Sequence, residues 1–196
     1  MLQDLRREAF FRRSRRGQVV RIVRERYLRQ DADIGCGYMH GLRVAAEQLE
    51  ELVNGSPHRQ LLVVDTNIAL HQVDVLEYRC PATALVLVPQ TVLQELRHLN
   101  LAAFKRVLSL FNDESKSFIF YPNELSIHTS SYRLPRETVN DANDRAIREV
   151  TSYLSDVLKD KGSVLLLTND KENQVTGVTF LEFHATVLYI SIVHIL

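Results

Sequence analysis

The stretch "LLVVDTNIALHQVDVLE", Leu61 to Glu77, decides the fold of this chain. Four apolar residues precede Asp65, Thr66 and Asn67, and an apolar pattern with helical spacing then resumes. A continuous apolar run is typical of a strand that helices cover on both faces. The stretch therefore predicts a buried strand that ends on Asp65 and is followed by a helix near residues 68–77.

The same alternation of strand and helix continues along the chain. A second strand, "ALVLV", precedes a helix from about Thr91 that breaks near Asn100 and resumes to Phe111. A third, "SFIFY", is followed by a polar loop and a long helix over roughly 137–160. A fourth, "SVLLLT", leads to Asn169 and Asp170, and a short fifth is expected near "GVTFL". This pattern predicts an α/β domain with a largely parallel sheet.

The N-terminal 30 residues carry a charge opposite to that of the remainder. They contain ten arginines against three acidic residues, whereas the other 166 residues contain 14 basic and 21 acidic residues. The segment "GQVVRIVRERYLR" alternates apolar and basic residues, and Gly17 suits a turn. We expect a basic hairpin or an added edge strand. Such an arm suits RNA phosphates, an acidic protein partner or simple solvation, and charge alone does not choose among them.

The sequence predicts four regions. The basic arm covers residues 1–30, a connecting segment with a candidate helix in "LRVAAEQLEELV" covers 31–60, and the α/β domain covers 61–184. The last region, 185–196, reads "ATVLYISIVHIL" and carries no formal charge. We expect this tail to complete a sheet edge or to cover a partner, since it would otherwise expose a large apolar surface. A truncated form of a longer protein is the other interpretation of this ending.

Cysteine content and hydropathy predict a soluble, intracellular protein. The two cysteines, Cys36 and Cys80, lie in unlike surroundings and form neither a disulfide framework nor a CxxC zinc module. A reducing compartment is the natural interpretation. The N-terminus lacks the apolar core of a secretory signal, and no apolar run reaches the roughly 18 residues that span a bilayer.

Four acidic residues fall where an α/β sheet usually builds its site. Asp65 and Asp170 follow the first and fourth strands, and Glu95 and Asp144 lie near the starts of two helices. Asp65 alone is as readily explained as a helix cap, and a lone acid in a first turn as a partner of the helix dipole. Four carboxylates at one edge, however, repel one another unless a cation neutralises them.

The chemistry of this set points to a divalent metal. Ligands that are all oxygen suit Mg²⁺ or Mn²⁺, which can activate water and stabilise the oxygens of a phosphodiester. No P-loop is present, which argues against nucleotide hydrolysis. The sequence therefore predicts metal-assisted hydrolysis of nucleic acid.

Several motifs also carry a family resemblance. In their order and spacing, "VVDTNIALHQVDVLE", "VPQTVLQELR", "NDANDRAIR" and "LLLTND" resemble a PIN-domain ribonuclease, and more narrowly the PIN domain that begins the catalytic subunit of the eukaryotic RNA exosome. The segment "RIVRERYLRQDADIGCG" resembles the stretch before that domain, so the match runs from about residue 12 to 175. The resemblance implies a three-layer α/β/α fold around a mainly parallel sheet of about five strands in the order 3-2-1-4-5.

The resemblance also implies roles for particular residues. It makes Asp65, Glu95, Asp144 and Asp170 the ligands of Mn²⁺ or Mg²⁺, two ions in all, and the catalytic residues of an endoribonuclease that cuts single-stranded RNA. It makes Thr66 and Asn67 the residues that orient Asp65 through hydrogen bonds and Asn169 the residue that does so for Asp170, while Asp141 has a supporting or structural role. Apart from the resemblance, an acidic domain needs basic residues to contact RNA, and the candidates are Arg97, Lys105, Arg106, Arg145 and Arg148. For each of them singly, a surface ion pair is the more common role.

The implied partners are the exosome core, for the basic arm, and single-stranded RNA, with no membrane and no small-molecule cofactor. The implied setting is RNA decay and rRNA maturation in the nucleus, including the nucleolus, and in the cytoplasm. Two departures stand out. The family usually has three cysteines before the domain, where this chain has Cys36 with His40 nearby, and a lone Cys and His are more often ordinary loop residues than a metal site. The cold-shock, exoribonuclease and S1 domains of the family are absent from this sequence.

Two further interpretations stay open. The chain could be a docking module that binds the exosome core without catalysis, although such a module has no need of all four acids. A phosphatase-like fold with Asp65 as a covalent nucleophile would want a second aspartate two residues later, where Asn67 stands.

Overall fold

The computed structural model describes residues 2–29, 35–169 and 186–189. Strand β1, Leu2–Arg13, and strand β2, Val19–Arg29, form an antiparallel hairpin. Gly17 has φ 78° in the connecting turn, a conformation that favours glycine. The basic hairpin predicted from the sequence is thus confirmed.

The remaining seven strands form one mixed sheet. They are β3 (Tyr38–Met39), β4 (Leu42–Arg43), β5 (Gln60–Val64), β6 (Leu85–Pro89), β7 (Ser117–Tyr121), β8 (Ser163–Thr168) and β9 (Thr186–Tyr189). Their order is β4-β3-β7-β6-β5-β8-β9. The last five strands of that order run parallel, whereas β3 pairs antiparallel with both β4 and β7.

The predicted strand order is confirmed in part. The four strands β7, β6, β5 and β8 stand in the predicted order 3-2-1-4. The fifth parallel strand that the structure describes is β9, in the apolar tail, and the segment 177–181 where we expected it lies outside the described residues. The short strands β3 and β4 are an addition that the sequence did not predict.

Six α-helices connect and cover these strands in the described part of the chain. They are α1 (Ala46–Gly55), α2 (Thr66–His71), α3 (Val73–Glu77), α4 (Gln90–Leu99), α5 (Leu101–Phe111) and α6 (Val139–Leu158). Short 3-10 turns occur at Pro81–Thr83, Asn123–Leu125 and Lys159–Lys161. None of the described helices combines the length and apolar character needed to cross a bilayer.

The predicted helix break near Asn100 is confirmed. The side chain of Asn100 accepts hydrogen bonds from the backbone N–H groups of Ala102 and Ala103 and so caps the start of α5. The helix predicted near 68–77 is instead two short helices, because the chain turns at Gln72 between α2 and α3.

The helices lie on both faces of the sheet. The connections from β5 to β6 and from β6 to β7 move in one direction along the sheet, whereas the connection from β7 to β8 moves back in the other. Because such connections are right-handed, helices α2 to α5 lie on one face of the sheet and α6 lies on the other. Helices α2, α4 and α5 pack together, and α1 packs against α6. Residues Leu61–Val64 and Leu85–Val88 are buried between these layers, as their continuous apolar sequence predicted.

The start of β8 is fixed by close packing at Gly162. A Cβ atom there would lie 2.2 Å from Cγ1 of buried Val53 and 2.9 Å from the carbonyl oxygen of Arg59. The next residue, Ser163, donates its backbone N–H to that same carbonyl oxygen at 3.0 Å. From this point β8 pairs with β5 without interruption, from Gln60 opposite Ser163 to Val64 opposite Leu167.

Candidate functional site

Asp65 lies at the carboxyl end of β5 and is almost completely buried, with 1% of its surface exposed. It occupies the N-cap position of α2, but its side chain makes no capping hydrogen bond. Instead, the hydroxyl of Thr168, at the end of β8, donates a hydrogen bond to Oδ2 of Asp65 at 2.5 Å. The helix-cap interpretation is therefore wrong for this side chain, which is held between two neighbouring parallel strands.

Glu95 lies on α4 and is half-buried. The hydroxyl of Thr66 donates a hydrogen bond to Oε2 of Glu95 at 2.5 Å, and Nδ2 of Asn143 donates one to Oε1 at 2.7 Å. Each carboxylate oxygen thus accepts one hydrogen bond and keeps lone-pair capacity for a cation. The contacts join the first turns of α2 and α6 to α4 beside Asp65.

Asp144 and Asp141 differ although they share the first turns of α6. Asp144 follows Asn143 directly and is half-buried. Asp141 is exposed, its carboxylate accepts a hydrogen bond from the backbone N–H of Thr138 at 3.1 Å, and its own N–H donates to the hydroxyl of Thr138 at 3.1 Å. This is a reciprocal cap of the helix start. The structure therefore assigns Asp141 a structural contact, while Asp144 is the residue directly after Asn143, which donates to Glu95.

Two predicted residues lie near the strand ends, and their roles stay predictions. Asn67 and Asn169 are half-buried, one in the first turn of α2 and the other directly after β8. Asp170 is outside the described residues, so its expected approach to Asp65 is not described.

We call the region formed by Asp65, Thr66, Glu95, Asn143 and Thr168 the carboxyl edge. Sequence reasoning predicted Asp65 and Glu95 and expected Thr66 to orient Asp65, whereas the Thr66 hydroxyl donates to Glu95 instead. It missed Asn143 and Thr168. The missed residues stand next to predicted ones, in "NDANDR" and "LLLTND", so their neighbourhood was the available signal.

The basic residues predicted to contact RNA divide into two kinds. Arg97 and Lys105 are exposed, and Arg148 is half-buried. Arg106 pairs with Asp74 and Glu77, so it joins α5 to α3. The ion-pair interpretation of Arg106 thus has a structural basis, and its contact with RNA stays a prediction.

Arg145 is likewise engaged within the chain. Its Nε and Nη2 donate to the two carboxylate oxygens of Glu137 at 2.8 and 2.9 Å, and its Nη1 donates to Glu149 at 2.7 Å. The hydrogen bonds from Arg145 lower the pKa of Glu137 to about 2, and Glu137 in turn raises the pKa of Arg145. A bidentate pair of this geometry leaves little of the guanidinium for RNA, which favours the ion-pair interpretation of Arg145, and its contact with RNA stays a prediction.

The described residues fit a magnesium or manganese ion better than a metal that needs a complete protein cage. Among residues 2–29, 35–169 and 186–189, no group of three or more His, Cys, Asp or Glu side chains stands close enough to hold a metal. Mg²⁺ commonly binds through only one or two carboxylates and keeps several waters. Buried Asp65 and half-buried Glu95 provide such an oxygen set at one edge. A metal site formed by Cys36 and His40, in place of the three cysteines of the family, is not supported, since Cys36 is in the core and His40 is exposed.

A comparison with known families decides the class of the domain. A profile described as "PIN domain" matches residues 62–179, more than half of the chain. The chain belongs to the PIN domain family. The matched PIN domain segment contains all four predicted acidic ligands.

The relatives of this PIN domain chain are longer proteins. It is 37% identical over 186 residues to the exosome complex exonuclease RRP44 of Mus musculus and 36% identical to that of Homo sapiens, matches that cover 89% of this chain and 19% of each relative. It is 34% identical over 174 residues to the RRP44 homolog A of Arabidopsis thaliana. The chain thus spans about a fifth of the length of these relatives. The predicted resemblance to the PIN domain of an exosome nuclease is confirmed.

A solved structure supports the fold independently. The PIN domain of T. brucei RRP44 superposes with a TM-score of 0.64, covering 80% of this chain and 87% of that one. At 23% sequence identity, this structural similarity shows that the chain has the α/β fold of that PIN domain.

Proposed function

We propose that this PIN domain chain is a divalent-metal-dependent endoribonuclease that cleaves single-stranded RNA as part of the RNA exosome. The observation that carries the proposal is the hydrogen-bonded carboxyl edge, where Thr66 and Asn143 hold Glu95 while Thr168 holds Asp65. A protein that only docked on a partner would not require three donors aimed at two acidic side chains.

The acidic residues at and around the carboxyl edge would hold Mn²⁺ or Mg²⁺, two ions in the proposal. Asp65, Glu95 and Asp144 are the proposed ligands among the described residues, and Asp170 is the proposed fourth. When bound, such ions supply an activated water and neutralise charge that develops on phosphodiester oxygens. The residues of the chain do the rest. Hydrogen bonds from threonine and asparagine fix the carboxylates before substrate arrives, so the site needs little rearrangement.

The proposal extends to partners and location. The hairpin carries exposed apolar side chains beside its arginines, among them Phe11 and Val19. Apolar groups interleaved with arginine are typical of protein interfaces, which favours the exosome core as the partner of the hairpin. The proposed setting is RNA decay and rRNA maturation in the nucleus, nucleolus and cytoplasm.

The same hairpin favours a second candidate, a docking module without catalysis. Its exposed apolar surface would serve docking whether or not the carboxyl edge binds metal. The two candidates differ in one measurable property, which is cleavage of RNA that has no ends.

The test is incubation of the chain with circular single-stranded RNA and Mn²⁺. Circular RNA is a substrate for an endonuclease and not for an exonuclease. We expect linear products from the unmodified chain, and loss of them in Asp144→Asn. The matched control is Asp141→Asn on the same helix, which keeps an acceptor for the cap and should cut normally. Absence of cutting would favour the docking module, and equal cutting by Asp144→Asn would show that the cutting does not depend on the proposed metal ligand.

A further inference from the structure

A cavity of about 560 Å³ lies beside the carboxyl edge, and we call it the side cavity. It is bounded by the hairpin, by the loop that follows β7 and by the first turns of α6. Its lining includes Arg7, Thr91, Asn123, Tyr132, Arg133 and Asn143. Asn143 belongs to both regions, since it lines this cavity and donates to Glu95. A ligand in the side cavity would therefore lie next to the proposed ligands of the metal.

The floor of the side cavity is polar and fixed. Asn123 is 1% exposed, its Nδ2 donates to the hydroxyl of Thr91 at 2.8 Å, and its Oδ1 accepts the backbone N–H of Thr91 at 3.2 Å. The hydroxyl of Thr129 donates to the carbonyl oxygen of Asn123 at 3.1 Å. Buried polar groups satisfied in this way form a rigid surface, so the cavity is built before any ligand enters.

The wall of the side cavity is held by the Arg145 pair described above. Nη2 of Arg145 donates to the carbonyl oxygen of Tyr132 at 2.5 Å. Nε of Arg133 donates to the carbonyl oxygen of Glu137 at 2.6 Å, and the N–H of Leu134 donates to the Glu137 carboxylate at 2.7 Å. These bonds give the loop a defined course and present residues 132 and 133 to the cavity.

The lining suits a nucleotide. Arg7 and Arg133 line the cavity with one acidic residue, Glu124, although residues 31–196 are acidic overall. Arg7 is paired with Glu25 at 2.8 Å, so Arg133 is the cation of the lining on which the argument rests. The partly exposed ring of Tyr132 offers a face on which a base can stack, and stacking accepts any base. The volume lies within the range of roughly 300–1,000 Å³ of small-ligand sites.

We propose that the side cavity binds the nucleotide of single-stranded RNA that flanks the cleaved phosphodiester, with Arg133 on the phosphate and Tyr132 on the base. This inference rests on the proposed endoribonuclease function and names the site through which that function would hold its substrate. It also explains how an acidic domain can bind RNA away from its carboxylates.

The test is binding of a fluorescent single-stranded oligoribonucleotide to the full chain in EDTA, measured by anisotropy at several salt concentrations. EDTA separates binding from cleavage. We expect Tyr132→Ala to weaken binding at least about 5-fold and Tyr132→Phe to restore it, since a stacked base needs only the ring. Arg133→Ala should lower the slope of log K against log salt by about 0.7, the value for one phosphate contact on a single strand.

The matched control is Arg136→Ala, an exposed arginine of the same loop that does not line the cavity. It should leave the affinity and the salt slope within about 2-fold and 0.2 of the unmodified chain, as expected for a surface site away from the ligand. Absence of RNA binding by the unmodified chain overturns the inference, as does equal loss in Arg136→Ala and Arg133→Ala. Binding through the cavity without cutting of circular RNA would instead overturn only the proposed function.

Discussion

The carboxyl edge and the hairpin keep their characteristic side chains in opposite environments. Asp65 is 1% exposed and accepts a hydrogen bond from a neighbouring strand, whereas Phe11 of the hairpin is 72% exposed. A buried carboxylate is positioned by its own chain, whereas exposed apolar side chains that cluster are typical of a surface that binds another molecule. The difference indicates that contacts within the chain fix the described part of the edge and do not fix the exposed side chains of the hairpin.

The largest expected effect comes from removal of the negative charge of Asp65 at the carboxyl edge. We expect Asp65→Asn to lower the rate of cutting of circular RNA with Mn²⁺ at least about 100-fold, because metal-assisted stabilisation is worth several kcal/mol. The side chain keeps its shape, so the thermal unfolding midpoint should change little. Retention of a third of the rate would remove Asp65 from the proposed ligands.

A finer change tests whether positioning matters at the edge. Thr66→Val removes the hydroxyl that donates to Glu95 and keeps the volume of the side chain. Loss of a group that orients a metal ligand typically costs about 10-fold or more in metal affinity or activity. The measurement is the Mn²⁺ concentration that gives half-maximal cutting. Thr151→Val is the control, since this buried threonine donates to the carbonyl oxygen of Ile147 within α6. Equal shifts in both variants would contradict the assignment.

A substitution on the exposed apolar surface of the hairpin should leave the activity of the carboxyl edge unchanged. We expect Phe11→Ser to weaken binding to purified exosome core about 10-fold, as for an interface anchor, with cutting of circular RNA within about 2-fold of normal. Leu101→Ser on α5 is the control, because Leu101 is 56% exposed but lies outside the hairpin. A pull-down titration measures both. If Leu101→Ser lost core binding and Phe11→Ser kept it, α5 rather than the hairpin would be the docking surface.

The smallest expected effect concerns the loop between these two regions. The pKa of Glu137 is lowered from 4.5 to about 2, so its ionised form stabilises the fold above pH 4.5 and this contribution is lost as the pH falls from 4.5 to 2. Glu137→Gln should therefore lower the urea midpoint of unfolding at pH 7. The gap, which is the difference in urea midpoint between the variant and the unmodified chain, should narrow at pH 3. Exposed Glu114→Gln should show no gap at either pH. A gap that widened at pH 3 would reverse the assignment.

Sequence reasoning succeeded where a signal was local. The apolar runs before Asp65 and Asn169 predicted two central strands, and the asparagine in "LRHLNLAAF" predicted the break between α4 and α5. Capping and periodicity depend on neighbours within a few residues, so they can be recognised without the fold. The same signals assigned α6 to within a turn of its observed bounds.

Elements that depend on distant partners were missed. Strands β3 and β4 have two residues each and exist because Gly37 comes close to β7, where an added Cβ would lie 2.6 Å from the carbonyl oxygen of Phe120. A two-residue strand has no periodicity to detect. The hydrogen bonds of Thr168 and Asn143 were missed for the same reason, because each joins residues 48 or more positions apart along the chain. The identity of the acidic residues could be predicted from the sequence. The residues that donate hydrogen bonds to them could not, because they come close only once the strands and helices are packed.

The close packing at Gly162 makes this glycine a position where substitutions should abolish activity. Thr168 lies six residues along the strand, roughly 20 Å away, yet its place opposite Asp65 depends on where the strand begins. A side chain at Gly162 cannot be accommodated without movement of Val53 or of the carbonyl group of Arg59. A slip of one residue would turn Thr168 to the other face of the sheet. In a screen for inactive variants, substitutions at Gly162 should therefore score with those of the acidic residues, although they touch none of them.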